Sequence, residues 1–386
     1  MGFSSFLMTI LLYEKTIQNK LKILWIAHRD PKNPKPGGAE RSIYEICTRF
    51  VTKGHEVTIL SGGWKGCSSY DNISGIRVKR FRTAIGPHIA LPVILIKNDY
   101  DVVINDLGHA IPWISSTLLK KINIVFFHHL HSRSLPGQVN FFLAKFITSL
   151  ENVYFIIYHN AIFVTESNTS KKDLVSLNIE SNKIVKIPPG VDSGMFHPGH
   201  KTEYPSIIYF GGMRKYKRPE ECLYMLKNIL EKRNDVKLYV VGSGPEEENV
   251  KKISNNLGVN KYVEFMGKIS TESLAKLVSS CWVNIHTSIT EGWGFSILEA
   301  SSAGTPTVAY SVPGVVDAIE DHSNGIIVKD GDRHALTKAA LEIMDSPNQW
   351  CTNSASVAEI YSWDITADLW EDLLTKTLNQ KGKQIN

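Results

Sequence analysis

Two glutamates stand out for chemistry in the stretch "TEGWGFSILEA", residues 290–300. Glu291 and Glu299 are eight positions apart, with Gly292 and Gly294 between them. A carboxylate can move a proton or accept hydrogen bonds from the hydroxyls of a ligand. The run "WVNIH" before them predicts a buried strand, and "FSILEASSAG" predicts a helix. Glu291 is then on the exit loop and Glu299 one turn inside the helix, which favours two separate ligand contacts over an acid–base pair.

A basic loop, "FGGMRKYKRPE", follows another predicted strand at residues 206–210. Arg214, Lys215, Lys217 and Arg218 crowd this loop just before a helix. Such a cluster can be a solvated surface. At the carboxyl end of a strand it better fits the clamping of a diphosphate by charge-assisted hydrogen bonds.

A glycine-containing loop, "KPGGAER" at residues 35–41, comes after the first predicted strand. Gly37 and Gly38 permit a tight turn and the close approach of a ligand to the backbone. The helix that follows would point its free N–H groups at the same place, which suits a phosphate. A plain strand-to-helix turn is the alternative interpretation.

Three histidines end the predicted strand in "FFHHLH", residues 126–131. Neighbouring side chains in one loop do not all aim at one ion, and no second carboxylate cluster is adjacent. The pattern therefore disfavours a metal site. It favours His128, the histidine nearest the strand end, as a hydrogen-bonding group in a substrate cleft.

The elements that must position these residues alternate between short apolar strands and helices in both halves of the chain. A segment rich in proline and glycine, residues 187–206, separates the halves. The pattern predicts an α/β protein with two Rossmann-like domains, whose parallel sheets face a central cleft. The predicted parts are a leader at 1–20, an N-terminal domain at 21–195, a C-terminal domain at 196–363, and a final helix at 364–386.

The composition is that of an ordinary globular protein. Hydrophobic residues make up 43% of the 386 residues, and no apolar run approaches the roughly 18 residues of a membrane span. The five cysteines are scattered and lack a CxxC spacing, which argues against disulfides and zinc and indicates a reducing, cytoplasmic compartment.

Charge is unevenly divided between the halves. Residues 1–195 hold 23 Lys and Arg against 14 Asp and Glu, a net charge of +9, whereas the remainder carries −4. The first half is expected to meet something anionic. No Arg/Lys-rich run or aromatic RNA-binding signature is present, so a membrane surface is favoured over nucleic acid. The apolar segment 139–158 is either a membrane-docking helix or buried core.

Together these motifs resemble the retaining glycosyltransferases of family 4, which have the GT-B fold. The spacing of Glu291 and Glu299 is the most specific element. The resemblance extends over nearly the whole chain through "PGGAER", "TESNTSKKDL", "IPPGVD", "GTPTVAY" and "NGIIVKDGD". It implies transfer of a sugar from a nucleotide-diphosphate sugar to a glycan, a lipid-linked acceptor or another hydroxyl acceptor. It also implies that the N-terminal domain is the acceptor side, that the C-terminal domain binds the nucleotide sugar, and that the helix at 364–386 crosses back to the first domain.

The resemblance also implies roles for individual residues. Lys217, assisted by Arg218, would bind the donor diphosphate. Glu291 would hold hydroxyls of the donor sugar, and Glu299 those of the ribose. The remaining implied contacts are main-chain approaches to the donor by Gly38, Gly294 and Phe295, and the placement of His128 near the transferred sugar.

Two positions depart from the family pattern. Gly212 stands where the family usually has a phosphate-binding arginine, so that either Arg214 replaces it or diphosphate binding is weakened. Asp317 stands where the family commonly has glutamate. Because lysine and arginine take the role of a divalent ion in such enzymes, the resemblance implies no metal and no cofactor.

Two other function classes remain open at this point. A nucleotide-sugar 2-epimerase shares the architecture but has a different arrangement of carboxylates and histidine. A non-catalytic GT-B partner subunit is favoured by Gly212 and disfavoured by the intact pair Glu291 and Glu299. Attachment of the glycosyltransferase to the cytoplasmic face of a membrane is a further expectation.

Overall fold

The structure is a computed structural model that describes residues 20–34, 37–109, 111–113, 122–135 and 139–385. The expected leader therefore lies outside the described residues except for Lys20. Within the described part, the strands form two separate sheets joined by residues 187–205. Each sheet is built mainly from parallel strands, which confirms the predicted α/β architecture of two Rossmann-like domains.

The first sheet has eight strands in the order β3-β4-β2-β1-β5-β6-β7-β8. Its pairs are parallel except for the antiparallel pair β3–β4. The central strands are buried on both faces, as the continuous apolar runs predict. The strands are β1 Lys22–Ile26, β2 Glu56–Gly62, β3 Tyr70–Ile73, β4 Ile76–Phe81, β5 Val102–Asp106, β6 Ile122–Phe127, β7 Ile162–Thr165 and β8 Ile184–Lys186.

The second sheet has six parallel strands in the order β11-β10-β9-β12-β13-β14. The order reverses between β9 and β12, and ligands in such sheets bind beyond the carboxyl ends of the strands at this reversal. The strands are β9 Ser206–Phe210, β10 Lys237–Val241, β11 Val263–Gly267, β12 Val283–His286, β13 Thr307–Tyr310 and β14 Gly325–Val328.

Helices cover both faces of each sheet. In the first domain they are α1 Gly38–Thr52, α2 Gly86–Lys97, α3 His131–Ser134, α4 Phe141–Ser149, α5 Tyr154–Ile157 and α6 Asn168–Ser176. In the second they are α7 Glu221–Leu230, α8 Glu247–Asn256, α9 Thr271–Ser280, α10 Phe295–Ser302, α11 Val315–Ala318, α12 Arg333–Asp345 and α13 Pro347–Ala358. The last described helix is α14, Trp363–Ile385.

Segment 139–158 is helical over most of its length. It forms α4, a 3₁₀ turn at Leu150–Val153, and α5. Glu151 in the turn is buried and accepts a hydrogen bond of 2.6 Å from the backbone N–H of His131. The carboxylate thereby satisfies a free N–H at the start of α3, a contact that depends on tertiary structure and has no signal in the local periodicity.

Two stretches of chain pass between the domains side by side. The backbone N–H of Val191 donates to the carbonyl of Tyr361 at 3.0 Å. A Cβ atom on Gly190 would lie 2.2 Å from the backbone nitrogen of Trp363. Only glycine permits this approach, which brings the start of α14 against the linker.

Helix α14 packs on the first domain, although the residues just before it belong to the second. Trp370 is fully buried against Trp25 of β1 and Phe126 of β6, with ring centroids 5.5 and 5.3 Å apart. His55 and Glu371 form a buried hydrogen bond of 2.9 Å nearby. The last helix therefore closes one face of the first sheet.

The helices also bear on whether the chain crosses a membrane. Within the described ranges, no helix combines the length and the hydropathy that crossing a bilayer requires.

Candidate functional site

Lys217 and Glu291 meet in the second domain beyond the carboxyl ends of β9 and β12. The lysine ammonium donates to the Glu291 carboxylate, which also accepts a hydrogen bond of 2.6 Å from Ser288. Burial acts to raise the pKa of Glu291, but Lys217 and His286 hold that pKa well below its ordinary value. Burial acts to lower the pKa of Lys217, and Glu291 more than offsets this and raises it. Both groups are therefore charged at neutral pH.

Arg218 fixes the loop that carries Glu291. Its backbone has a φ of +47°, an uncommon left-handed conformation for a residue other than glycine. Its guanidinium donates to the carbonyls of Thr287 and Ser288 at 2.7 and 3.0 Å, and to Asp330 at 2.6 Å. The structure thus places Arg218 where the sequence predicted it, with its side chain committed to protein acceptors.

Arg214 lies beside the position where the resemblance implies an arginine. It is exposed, and its Nε atom is 4.0 Å from the place that a Cβ atom on Gly212 would occupy. Its charge acts to lower the pKa of Lys217, so the two cations are electrostatic neighbours. A guanidinium is therefore present at the mouth of the site despite the glycine at position 212.

The start of α10 lies between the two domains. Gly294 has a φ of +93° and turns the chain into the helix. The ring of Phe295 then packs against the first domain, where a Cβ atom on Gly38 would lie 2.8 Å from it. Phe295 also stacks on Trp363, with ring centroids 6.1 Å apart. The backbone of Gly38 is thus in contact with the opposite domain.

Glu299 on α10 forms an ion pair with Arg41 on α1, across the cleft. Burial raises the pKa of Glu299, and Arg41 offsets this only in part. The hydrogen bond links the glycine loop of the first domain to the second glutamate of the motif. The sequence had placed these two motifs in one cleft without identifying this contact.

His128 lies at the carboxyl end of β6, buried between two carboxylates. Its ring nitrogens are 3.2 Å from Asp106 and 3.3 Å from Glu166. Burial acts to lower the pKa of His128, but the two carboxylates raise it to about 10. Both ring nitrogens face protein acceptors, so the imidazole is a buried cation in this structure. His128 lies at the strand end, as the sequence predicted, but its hydrogen bonds are made to protein carboxylates and not to a ligand.

His129, which the sequence patterns did not single out, follows His128 and lies close enough to the second domain for charges there to affect its pKa. Burial lowers its pKa to about 3, and the charges of Glu291 and Lys217 act on it as well. His129 is therefore a neutral imidazole beside a cationic one. The strand pattern alone could not separate the two, because both follow β6 directly.

Asp317 connects the domains at another point. Its carboxylate accepts hydrogen bonds of 2.9 and 3.0 Å from the backbone N–H groups of Asn168 and Thr169. These groups lie at the start of α6, where helical N–H groups lack intrahelical partners. A carboxylate of the second domain thus caps a helix of the first.

Five residues of the site were not predictable from the sequence patterns, because only the folded structure shows their partners. The signal in the sequence for Asp106 and Glu166 is that each is a polar residue at the end of a strand. Arg41 lies in the motif "GGAER", which does not show its partner. These residues are Arg41, Asp106, His129, Glu166 and His286.

In the part of the chain that the structure describes, no group of three or more His, Cys, Asp or Glu side chains could hold a metal ion.

Two family models match consecutive parts of the chain. The model described as Glycosyltransferase Family 4 matches residues 36–194, and the model described as Glycosyl transferases group 1 matches residues 192–356. The boundary between the matches falls in the linker between the two sheets.

Relatives with curated names are similar over most of their length. An uncharacterized glycosyltransferase of Methanocaldococcus jannaschii is 26% identical over 360 residues, which cover 85% of this chain and 91% of the relative. The GDP-mannose-dependent alpha-(1-6)-phosphatidylinositol monomannoside mannosyltransferase of Mycolicibacterium smegmatis is 25% identical, covering 85% of this chain and 96% of the relative.

Solved structures share the fold. Sucrose-phosphate synthase from Thermosynechococcus elongatus superposes with a TM-score of 0.79 at 18% identity, over 94% of this chain and 100% of that one. HepE of Anabaena, solved in complex with UDP and glucose, superposes with a TM-score of 0.73 at 17% identity, over 92% and 100%. At 18% and 17% identity, these two superpositions show a shared fold.

The paired carboxylates predict an unusual titration of His128. Its pKa is raised from 6.5 to about 10, so its contribution to folding stability is complete below pH 6.5 and is lost as pH rises through about 10. Asp106→Asn removes one charge and should move the titration of His128 toward its ordinary range. Nuclear magnetic resonance of the histidine ring protons measures this shift. Asp101→Asn, at the exposed start of the same strand, should leave it unchanged; titration of His128 near pH 6.5 in the unsubstituted chain would contradict the assignment.

Proposed function

This chain belongs to the family-4 glycosyltransferases, and we propose that it moves a sugar from a nucleotide-diphosphate sugar to a hydroxyl of a glycan or lipid-linked acceptor, with retention of anomeric configuration. The observation that carries the proposal is the half-buried pair of Lys217 and Glu291, with Glu299 on the helix that follows. Two loops and one helix present a cation and two carboxylates at the carboxyl ends of the second sheet.

The cations are suited to the leaving group. Cleavage of the anomeric C–O bond develops negative charge on the departing diphosphate, and fixed positive charge stabilises it. Lys217 is charged and held in place by Glu291. Arg214, exposed beside Gly212, supplies the second cation. Arg218 contributes by holding the loop at Thr287 and Ser288.

The carboxylates and the helix start are suited to the rest of the donor. Glu291 accepts hydrogen bonds from hydroxyls of the transferred sugar, and Glu299 accepts them from the ribose. The main-chain N–H groups of Gly294 and Phe295 lie at the start of α10 and face the phosphates. HepE, a neighbour with the same fold, was solved with UDP and glucose, which supports a nucleotide sugar as donor.

Retention follows in the proposal from attack by the acceptor hydroxyl on the face that the diphosphate leaves. The anomeric C–O bond to the diphosphate breaks, and the departing phosphate oxygen takes the proton of the acceptor hydroxyl. No side chain is assigned as a covalent nucleophile. The positive charge that a divalent ion would supply comes from Lys217 and Arg214, so the proposed reaction needs no metal.

The donor is tested with a panel of UDP- and GDP-sugars, with release of nucleoside diphosphate as the readout. Release that depends on an acceptor supports transfer. Conversion of the sugar without an acceptor would indicate a nucleotide-sugar 2-epimerase. Binding of nucleotide sugars without any turnover would indicate a non-catalytic partner subunit.

An anionic membrane surface is proposed as a further partner of the first domain. Phe141 and Phe142 at the start of α4 are 71% and 79% exposed. On α2, the side chains of Ile89, Val93 and Ile96 are also exposed. Large apolar side chains on a basic domain fit insertion into an anionic headgroup region.

Lys217→Ala should lower turnover by about 10²-fold or more, by analogy with the loss of one stabilising donor at a developing charge. Lys215→Ala is the matched control, because Lys215 lies in the same 3₁₀ turn, is exposed, and has no contact with Glu291. Steady-state rates with the donor found in the panel measure the difference. Full activity of Lys217→Ala would remove the lysine from the proposed site.

The two glutamates should separate in their effects. Glu299→Ala should weaken the binding of nucleoside diphosphate, which retains the ribose, by roughly 1.5–3 kcal/mol for a lost hydrogen bond to a charged group. Glu291→Ala should leave that affinity nearly unchanged and slow the transfer, because the sugar is no longer positioned. Calorimetry with nucleoside diphosphate, together with turnover, measures both. Equal loss of nucleotide affinity in the two variants would refute the division of roles.

Membrane docking should depend on the exposed aromatic residues of α4. Replacement of Phe141 and Phe142 by serine should reduce co-sedimentation with anionic vesicles, and binding by the unsubstituted chain should fall as salt rises. Ile360→Ser is the control, since Ile360 is 66% exposed on the second domain. Equal recovery of the unsubstituted chain in the supernatant with and without anionic vesicles would exclude this partner.

A further inference from the structure

Three histidines and a tryptophan gather at the carboxyl edge of the first sheet, outside the donor site. His28 follows β1, His88 is on α2, and His109 and Trp113 follow β5. These four residues are called the histidine cluster below. The ring centroids of His28 and His109 are 4.7 Å apart, and those of His88 and Trp113 are 4.0 Å apart in a stacked arrangement.

Trp113 ties the histidine cluster to the buried cation described above. Its indole N–H donates to the backbone carbonyl of Asp106 at 2.8 Å, and the carboxylate of Asp106 contacts His128. The backbone N–H of Gly108 donates to the same carboxylate at 2.7 Å. A ligand at the cluster would therefore lie at the same edge of the first sheet as His128, facing the cleft.

His109 is the unusual member of the cluster. Both of its ring nitrogens are buried and have no hydrogen-bond partner among the residues that the structure describes. A neutral imidazole carries one donor and one acceptor, and leaving either unpaired in a buried place costs about 1–3 kcal/mol. Buried polar groups are otherwise nearly always paired, so an orphaned imidazole requires an explanation such as a ligand.

The chemistry of the cluster favours an uncharged ligand with hydroxyl groups. Burial lowers the pKa of His28, of His88 and, most strongly, of His109, so all three are neutral at pH 7. Neutral imidazoles bind a phosphate poorly, whereas each can donate to one hydroxyl and accept from another. The faces of His88 and Trp113 add an aromatic platform.

We propose that the histidine cluster is an acceptor subsite that binds a neutral, hydroxyl-bearing ring, with His109 as its central hydrogen-bonding group. This rests on the proposed function, because the acceptor must reach a donor that is held mainly by the second domain.

The test uses two neutral ring compounds, methyl α-D-glucopyranoside and myo-inositol, and inorganic phosphate as the anionic comparison. Saturation-transfer nuclear magnetic resonance measures their binding to the full chain. His109→Phe retains a ring against Trp113 but removes both nitrogens, and His88→Gln changes a half-buried surface position. Each variant should weaken the binding of a neutral ring about tenfold, while near-ultraviolet circular dichroism shows that the fold is retained.

Glu291→Ala separates this subsite from the donor site, because its substitution leaves the histidine cluster intact. The proposal requires Glu291→Ala to bind the neutral rings as the unsubstituted chain does. Binding that is lost in Glu291→Ala and retained in both histidine variants would overturn it, as would binding of phosphate alone or of no probe. Because these measurements need no turnover, a failed donor panel would refute the glycosyltransferase proposal without deciding the subsite.

Discussion

The cleft depends on the pairing of charges that are wholly or partly withdrawn from solvent. Removing one partner of a fully buried ion pair costs about 3–5 kcal/mol, since the other charge is left without compensation, and the cost is smaller where a side chain is partly exposed. Three sets of charges are paired here, each at a strand end or a helix start, and the set around His128 is fully buried. They are Lys217 with Glu291, Arg41 with Glu299, and His128 with Asp106 and Glu166.

The pairs differ in what they hold together. Lys217 contacts Glu291 within the second domain, and His128 contacts Asp106 within the first. Each contact fixes its groups at the edge of one sheet. Arg41 and Glu299 join the two domains, as does the carboxylate of Asp317 at the start of α6. The spacing of the domains is therefore set by polar contacts within the cleft, together with the two adjacent chain crossings near Gly190.

The sequence predicted the sheets and the local setting of each motif, because these depend on nearby residues. The strand at Ser206–Phe210 and the loop position of Glu291 follow from apolar runs and glycines. Partners such as Asp106 and Glu166 were not predictable, since they meet His128 only through the order of strands β5, β6 and β7. The 3₁₀ turn within segment 139–158 was not predicted either, because its buried Glu151 accepts a hydrogen bond from a distant helix start.

In the proposed reaction, the pair of Lys217 and Glu291 also selects among ligands. A free phosphate would attract Lys217 and leave the buried carboxylate of Glu291 with less compensation. A free sugar would have to displace Lys217 from Glu291 without supplying the lysine with an anion, so it binds poorly at this pair. A nucleotide sugar carries both groups at a fixed separation, so the diphosphate takes the lysine while the sugar hydroxyls take the carboxylate. Lys217 and Glu291 then each keep a partner while the nucleotide sugar binds. Free phosphate and free sugar are disfavoured, because each of them leaves one of the two charges without a partner.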